Sequence, residues 1–173
     1  MRNYFYLLLI LITTFSCKDE SDNKVVEDNT VQSSASAVSK ADIKTIKYTD
    51  YGLGSDAQKA VANWLQYKEL DENLELVKKG DLSFLSQDQE VMMTLLQDLR
   101  INIPSAVNTK SIKARLLALE TQLLMANSLL NLKNVEKSKK IDAVKMVLIA
   151  MSNFNDQMNK KFEIESNNIL RRQ

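Results

Sequence analysis

Residues 109–131 read Thr-Lys-Ser-Ile-Lys-Ala-Arg-Leu-Leu-Ala-Leu-Glu-Thr-Gln-Leu-Leu-Met-Ala-Asn-Ser-Leu-Leu-Asn. Ile112, Leu116, Leu119, Leu123, Ala126 and Leu130 recur in steps of four and three, the spacing of a helical packing seam. Leu117, Leu124 and Leu129 widen that stripe. A wide stripe belongs to a helix with neighbours on several sides, so this segment is expected at the centre of a bundle. The helix is expected to start near Thr109, and Asn131 to Glu136 holds the next turn signal.

The same period continues on both sides. Downstream, Ile141, Val144, Leu148, Met151, Phe154, Met158 and Phe162 predict a helix from about Ser138 toward Leu170, with Lys137, Lys139, Lys140, Asp142 and Lys145 outside. Upstream, Pro104 breaks the chain, making Arg100 to Asn108 a connection. Before it, Met92, Leu95, Leu96 and Leu99 line one helical face, and Ser86 with Gln89 fits a capping box at its start. Earlier still, Ala60, Trp64, Tyr67, Leu70, Leu74 and Val77 predict one helix from Ser55 or Asp56 to a cap at Gly80. Glu75 and Lys79 are spaced for an i,i+4 pair on its outer side. Residues 41–54 carry Ile43, Ile46, Tyr48 and Tyr51 and end in Gly52-Leu53-Gly54, an extended arm or a short helix. Three glycines and one proline in 173 residues leave little punctuation for strand-and-turn folds. The expected fold is all-α, an antiparallel bundle of about four helices.

The chain opens differently. After Met-Arg-Asn-Tyr an apolar run extends from Phe5 to Ile12, followed by Thr13-Thr14-Phe15-Ser16-Cys17. One charge, a short apolar core and small residues at a break describe a secretory signal, and the run is too short to span a bilayer. The chain's one cysteine stands where cleavage should fall, with Ser16 before it. Thr14 occupies the place where Leu is usual, and Phe15 is bulky for its position. The segment looks like a bacterial lipoprotein signal, with Cys17 as the lipid-accepting first residue of the mature chain. Lys18, Asp19 and Glu20 follow, and Cys-Lys-Asp-Glu resembles the lipoprotein export signal of Bacteroidota. That resemblance implies an outer-membrane lipoprotein on the cell surface; the alternative is one facing the periplasm. Two or more acyl chains would anchor it stably. Residues 18–40 are polar and aperiodic, including Ser33-Ser34-Ala35-Ser36-Ala37, and read as a disordered tether. The expected organisation is signal 1–16, lipidated Cys17 and tether 17–46, and helical domain 47–173.

Composition excludes several chemistries. Twenty-three basic and 22 acidic residues nearly cancel, with no basic stripe for nucleic acid. There is no histidine, and no cysteine besides Cys17. Disulfides, Ser-His or Cys-His nucleophiles and most transition-metal sites are therefore not expected, and neither is a cofactor or metal. Glu69, Asp71, Glu72 and Glu75 form the densest acidic group, but their spacing spreads them around a helix as a solvated face. Met92, Met93, Met125, Met146, Met151 and Met158 could suggest copper; all but Met93 and Met146 fit inner faces, where methionine fills core gaps. Trp64, Tyr67, Tyr48 and Tyr51 lie close in sequence, either as a binding patch or as packing of the arm on the first helix. Arg100 and Arg115 flank the proline loop and are the candidate contacts for an anionic ligand or a partner carboxylate. Structurally, each could instead bridge helices through an internal acid such as Asp98 or Glu120.

Taken together, Trp64, Tyr67, Pro104, Ile112, Arg115, Glu120-Thr121, Phe154-Asn155 and Asn159-Lys160 give the chain a familiar pattern over residues 57–162. With the lipoprotein signal, it resembles small flavobacterial lipoproteins. That resemblance implies the compartment and an all-helical fold, and no activity. The functional expectation is a non-catalytic binding or structural accessory module, joined to the membrane through its lipid and to an envelope protein partner. The alternative is a small-ligand or anion binder using the loop between the second and third predicted helices.

Overall fold

The structure, a computed structural model, describes residues 37–170, with side chains through residue 167. The expected signal, Cys17 and Lys18-Asp19-Glu20 lie outside the described residues. Within them the chain forms seven α-helices and one 3-10 turn and no strand. The helices are α1 (Lys40–Lys44), α2 (Ser55–Val61), α3 (Leu65–Lys78), α4 (Ser83–Ser86), α5 (Gln89–Ile101), α6 (Lys110–Asn131) and α7 (Lys137–Leu170). The 3-10 turn spans Ser105–Val107. The expected all-helical bundle is what the chain forms.

α6 starts as its sequence predicts. The Thr109 hydroxyl accepts from the Ile112 N–H at 3.2 Å, and Ile112, Leu116, Leu119, Leu123 and Ala126 are buried. Its most extensive packing is with α7, whose Val144, Leu148, Met151, Phe154 and Met158 face it from the core. The stripe is narrower than expected, because Leu117 is exposed. Met125, expected on the inner face, is exposed too. Lys140, expected outside, is buried and points its ammonium at the Leu130 carbonyl, 3.4 Å away. There it satisfies the end of α6, where helix carbonyls lack partners and cations are favoured.

The first predicted helix is broken in two. Trp64 stands between α2 and α3 with ψ of 85°, outside helical geometry, and its N–H donates to Val61 O at 2.9 Å. The break turns Trp64 into the core, stacked on Tyr67 with ring centroids 5.6 Å apart and edge-on to Phe154 at 6.2 Å. Gly80 closes α3 as expected. With φ of +88° it donates to Val77 O, and Asp81 donates to Leu76 O, the paired bonds of a Schellman cap. The start of α5 differs from expectation. Ser86 ends the short α4 and bonds back to Leu82 O at 2.6 Å. Asp88 caps α5 instead, accepting from Glu90 N at 2.8 Å. α4 buries Phe84 and Leu85, and Asn127 of α6 fastens it by donating to the Leu85 and Gln87 carbonyls.

The packed domain begins before residue 47. Ser39 and Asp42 form a capping box on α1, and Ile43 is 3% exposed within the core. α1 rests against Gly80, and Asp42 pairs with Lys137 at 2.7 Å. The end of α3 and the start of α7 thus meet at α1. Since Trp64 and Tyr67 at the other end of α3 meet Phe154 far along α7, the two helices run antiparallel.

Candidate functional site

Between α1 and α2 runs an arm, residues 46–54, that borrows its backbone partners from α7. Ser152 accepts from Tyr51 N at 2.9 Å and donates to Thr49 O at 2.7 Å. Asn155 donates to Tyr51 O at 3.0 Å. Asn159 donates to Gly52 O at 2.8 Å and accepts from Gly54 N at 2.7 Å. Residues spaced i, i+3 and i+7 share one helix face, so α7 presents a polar ladder beside its apolar stripe. Asn155 is buried, and its carbonyl oxygen accepts from the Tyr67 hydroxyl at 2.8 Å. Core, arm and α7 are therefore joined at one amide.

Beneath the arm lies an open cleft of about 560 Å³, walled by the arm, the end of α2, one face of α3 and Asn155 of α7. Leu53, Val61 and Ala62 give it apolar surface, and Tyr51 and Tyr67 aromatic surface. Gln58, Asp50, Asp71, Glu75, Lys68, Lys78 and Asn155 supply polar groups. Lys78 sits between two acids, 2.7 Å from Asp50 and 2.6 Å from Glu75. Burial lowers the Lys78 pKa, but those two bonds outweigh it and hold the ammonium above its ordinary value. Asp71 has no such cation within ion-pair distance among the described residues. Burial, reinforced by Glu75 and opposed by Lys78, raises its carboxyl. Burial also pushes the Tyr48 hydroxyl up to about 12, with Lys78 opposing and Asp50 adding to the rise. Tyr67 is raised for the same first reason, and Asp71 adds to it.

The expected sites fall in different places. Arg100 reaches back from α5 to Glu120 of α6, Nε to Oε1 at 3.3 Å, so its bridging role is present. Arg115 is exposed and makes no ion pair among the described residues. Neither arginine lines the cleft. The acidic group divides. Asp71 and Glu75 join Asp50 at the cleft, Glu72 pairs with Lys68 at 3.8 Å, and Glu69 borders a second hollow beside Phe84 and Val91. The expected Glu75–Lys79 pair is replaced by Glu75–Lys78, because Lys78 faces the arm. Of the aromatic group, Trp64 and Tyr67 are core, Tyr48 is half-buried and Tyr51 is exposed. The buried Trp64 indole N–H has no acceptor among the described residues. Met92, Met151 and Met158 are core. Among the described residues, no three acidic, histidine or cysteine side chains are grouped to hold a metal ion, and no helix is long and apolar enough to cross a membrane.

Sequence reasoning did not single out Ser152 or the role of Asn155 and Asn159. Their spacing on the flank of an apolar stripe was the available signal. The chain matches no protein-family model, no curated protein and no solved structure.

Proposed function

We propose that this protein is a lipid-anchored, non-catalytic binding module of the bacterial outer envelope, an accessory subunit held on the outer membrane through Cys17. The observation that carries the reading is the apolar run Phe5–Ile12 closing on Ser16-Cys17, followed by Lys18-Asp19-Glu20 and a polar stretch before the packed domain. Cys-Lys-Asp-Glu favours the surface-exposed face. The cleft supports binding better than turnover. Two of its three carboxylates are held by Lys78, and its buried hydroxyl, Tyr67, is bonded to an amide rather than to a base. The anion-clamp alternative loses support, since Arg100 is engaged by the buried Glu120 and no cavity described above joins it to Arg115.

The test is cross-linking and affinity capture of a C-terminally tagged chain from intact cells, with Cys17→Ala as the unlipidated control. A specific envelope partner, lost in the control, is expected. A deletion strain with unchanged envelope complexes, together with no captured protein, would overturn the reading.

A further inference from the structure

Resting on that reading of the domain as a binding module, we propose that the cleft beneath the arm binds an organic amine, a protonated nitrogen carried on an apolar or aromatic body. Its volume, about 560 Å³, lies in the range of small-molecule pockets, roughly 300–1,000 Å³. The lining divides into parts that match such a ligand. Leu53, Val61 and Ala62 offer apolar contact, and Tyr51 offers a ring that is 46% exposed.

Charge decides the class. Lys78 is already shared between Asp50 and Glu75, and Lys68 is drawn to Glu72, which does not line the cleft. Among the described residues, Asp71 is left as the half-buried carboxylate with no cation within ion-pair distance. An anion entering here would meet Asp71, Glu75 and Asp50. A neutral apolar ligand would strip water from Asp71 and return nothing, which is costly for a charged group, and a neutral donor would return a hydrogen bond without the opposite charge. An ammonium supplies the absent partner through a charge-assisted hydrogen bond and also gains from a tyrosine face. The raised carboxyl of Asp71 agrees in sign with a negative charge short of compensation. The same ammonium could arrive as a free amine or as the end of a partner's lysine side chain.

The experiment titrates three probes into the lipidated, isotope-labelled full chain in detergent: benzylamine, N-acetyl-lysine amide, and benzyl alcohol as the neutral match. Shifts at Tyr51–Leu53 and Asp71 are expected with an amine, with a dissociation constant of order 1 mM for so small a ligand. Benzyl alcohol should leave them unmoved. Whichever amine binds more tightly identifies the free or the side-chain source. Asp71→Asn should weaken binding roughly tenfold or more, the loss of one charged contact, while Glu72→Gln should not. Unchanged emission from Trp64 will establish that the variants are folded. Equal binding of benzyl alcohol, full retention of affinity in Asp71→Asn, or no shift with either amine would overturn the proposal. If the amines fail while Cys17-dependent capture persists, the binding-module reading stands without this ligand.

Discussion

The Tyr67 hydroxyl donates to Asn155 Oδ1 at 2.8 Å, and the other end of that amide donates to the Tyr51 carbonyl at 3.0 Å. One side chain thus satisfies a buried phenol and an arm carbonyl. Asn155→Ala should leave both unpaired and cost about 2–4 kcal/mol, the sum of two lost partners. Tyr67→Phe removes only one member of one pair and should cost about 1 kcal/mol. Urea unfolding followed by the emission of Trp64, the chain's one tryptophan, will measure both.

Gly80 is constrained from two sides. Its φ of +88° suits glycine, and a Cβ there would lie 2.8 Å from the Lys40 Cα. Gly80→Ala should therefore cost roughly 1–3 kcal/mol through backbone strain and should also push α1 off the end of α3. The expected signature is a lower melting temperature together with a displaced Ile43 methyl resonance. A melting temperature equal to the parent's would contradict this account of the cap.

Much of this fold was legible from periodicity. α6 and α7 are long, their apolar residues keep step, and the Thr109 cap stands three residues before the first buried position, Ile112. The break before α3 was not legible, because Ala57, Val61, Trp64 and Tyr67 keep helical spacing straight through it. Only the burial of the indole against Phe154 shows why the helix yields there. Ser86 with Gln89 satisfied the capping pattern, yet Asp88 wins because α4 already uses the Ser86 hydroxyl. The cleft was least legible. It is assembled where the arm folds back over α2 and α3 and is pinned by Asn155 of α7, some hundred residues away in sequence, and local pattern carries no information about that meeting.

α1 should loosen in acid. The hydrogen bond from Lys137, then those from Ser39, lower the Asp42 pKa from 3.8 to about 2. A depressed carboxyl stabilises the fold above its ordinary pKa and loses that contribution as the pH falls through the folded value. The Ile43 methyl resonance should therefore move as the pH drops from about 4 toward 2. Asp42→Asn should remove that dependence and show a loosened α1 already at neutral pH.

Arg100 guards a buried acid. Glu120 is 5% exposed, burial raises its carboxyl, and Arg100 opposes the rise. Arg100→Ala should cost about 1–3 kcal/mol at pH 7 by leaving a buried charge unpaired. The penalty belongs to the ionised form, so it is present above the folded pKa and fades as acid protonates Glu120. Urea midpoints of parent and variant should converge between pH 7 and the carboxylate range. A difference that grows in acid would refute this role.

Asn155 and Asn159, with Ser152, also fix the length of the arm. From residue 152 to residue 159 a helix climbs roughly 10.5 Å. The arm contacts they serve are centred near residues 50 and 53, and three residues of extended chain cover roughly 10 Å. The two repeats are commensurate over this interval. A residue added to or removed from the arm would offset the contacts beyond it by about 3.4 Å, and the neighbouring amides on α7, Asn153 and Gln157, lie on other faces of the helix and do not follow. A segment with no regular structure of its own is thus as intolerant of insertion and deletion as a strand inside a sheet.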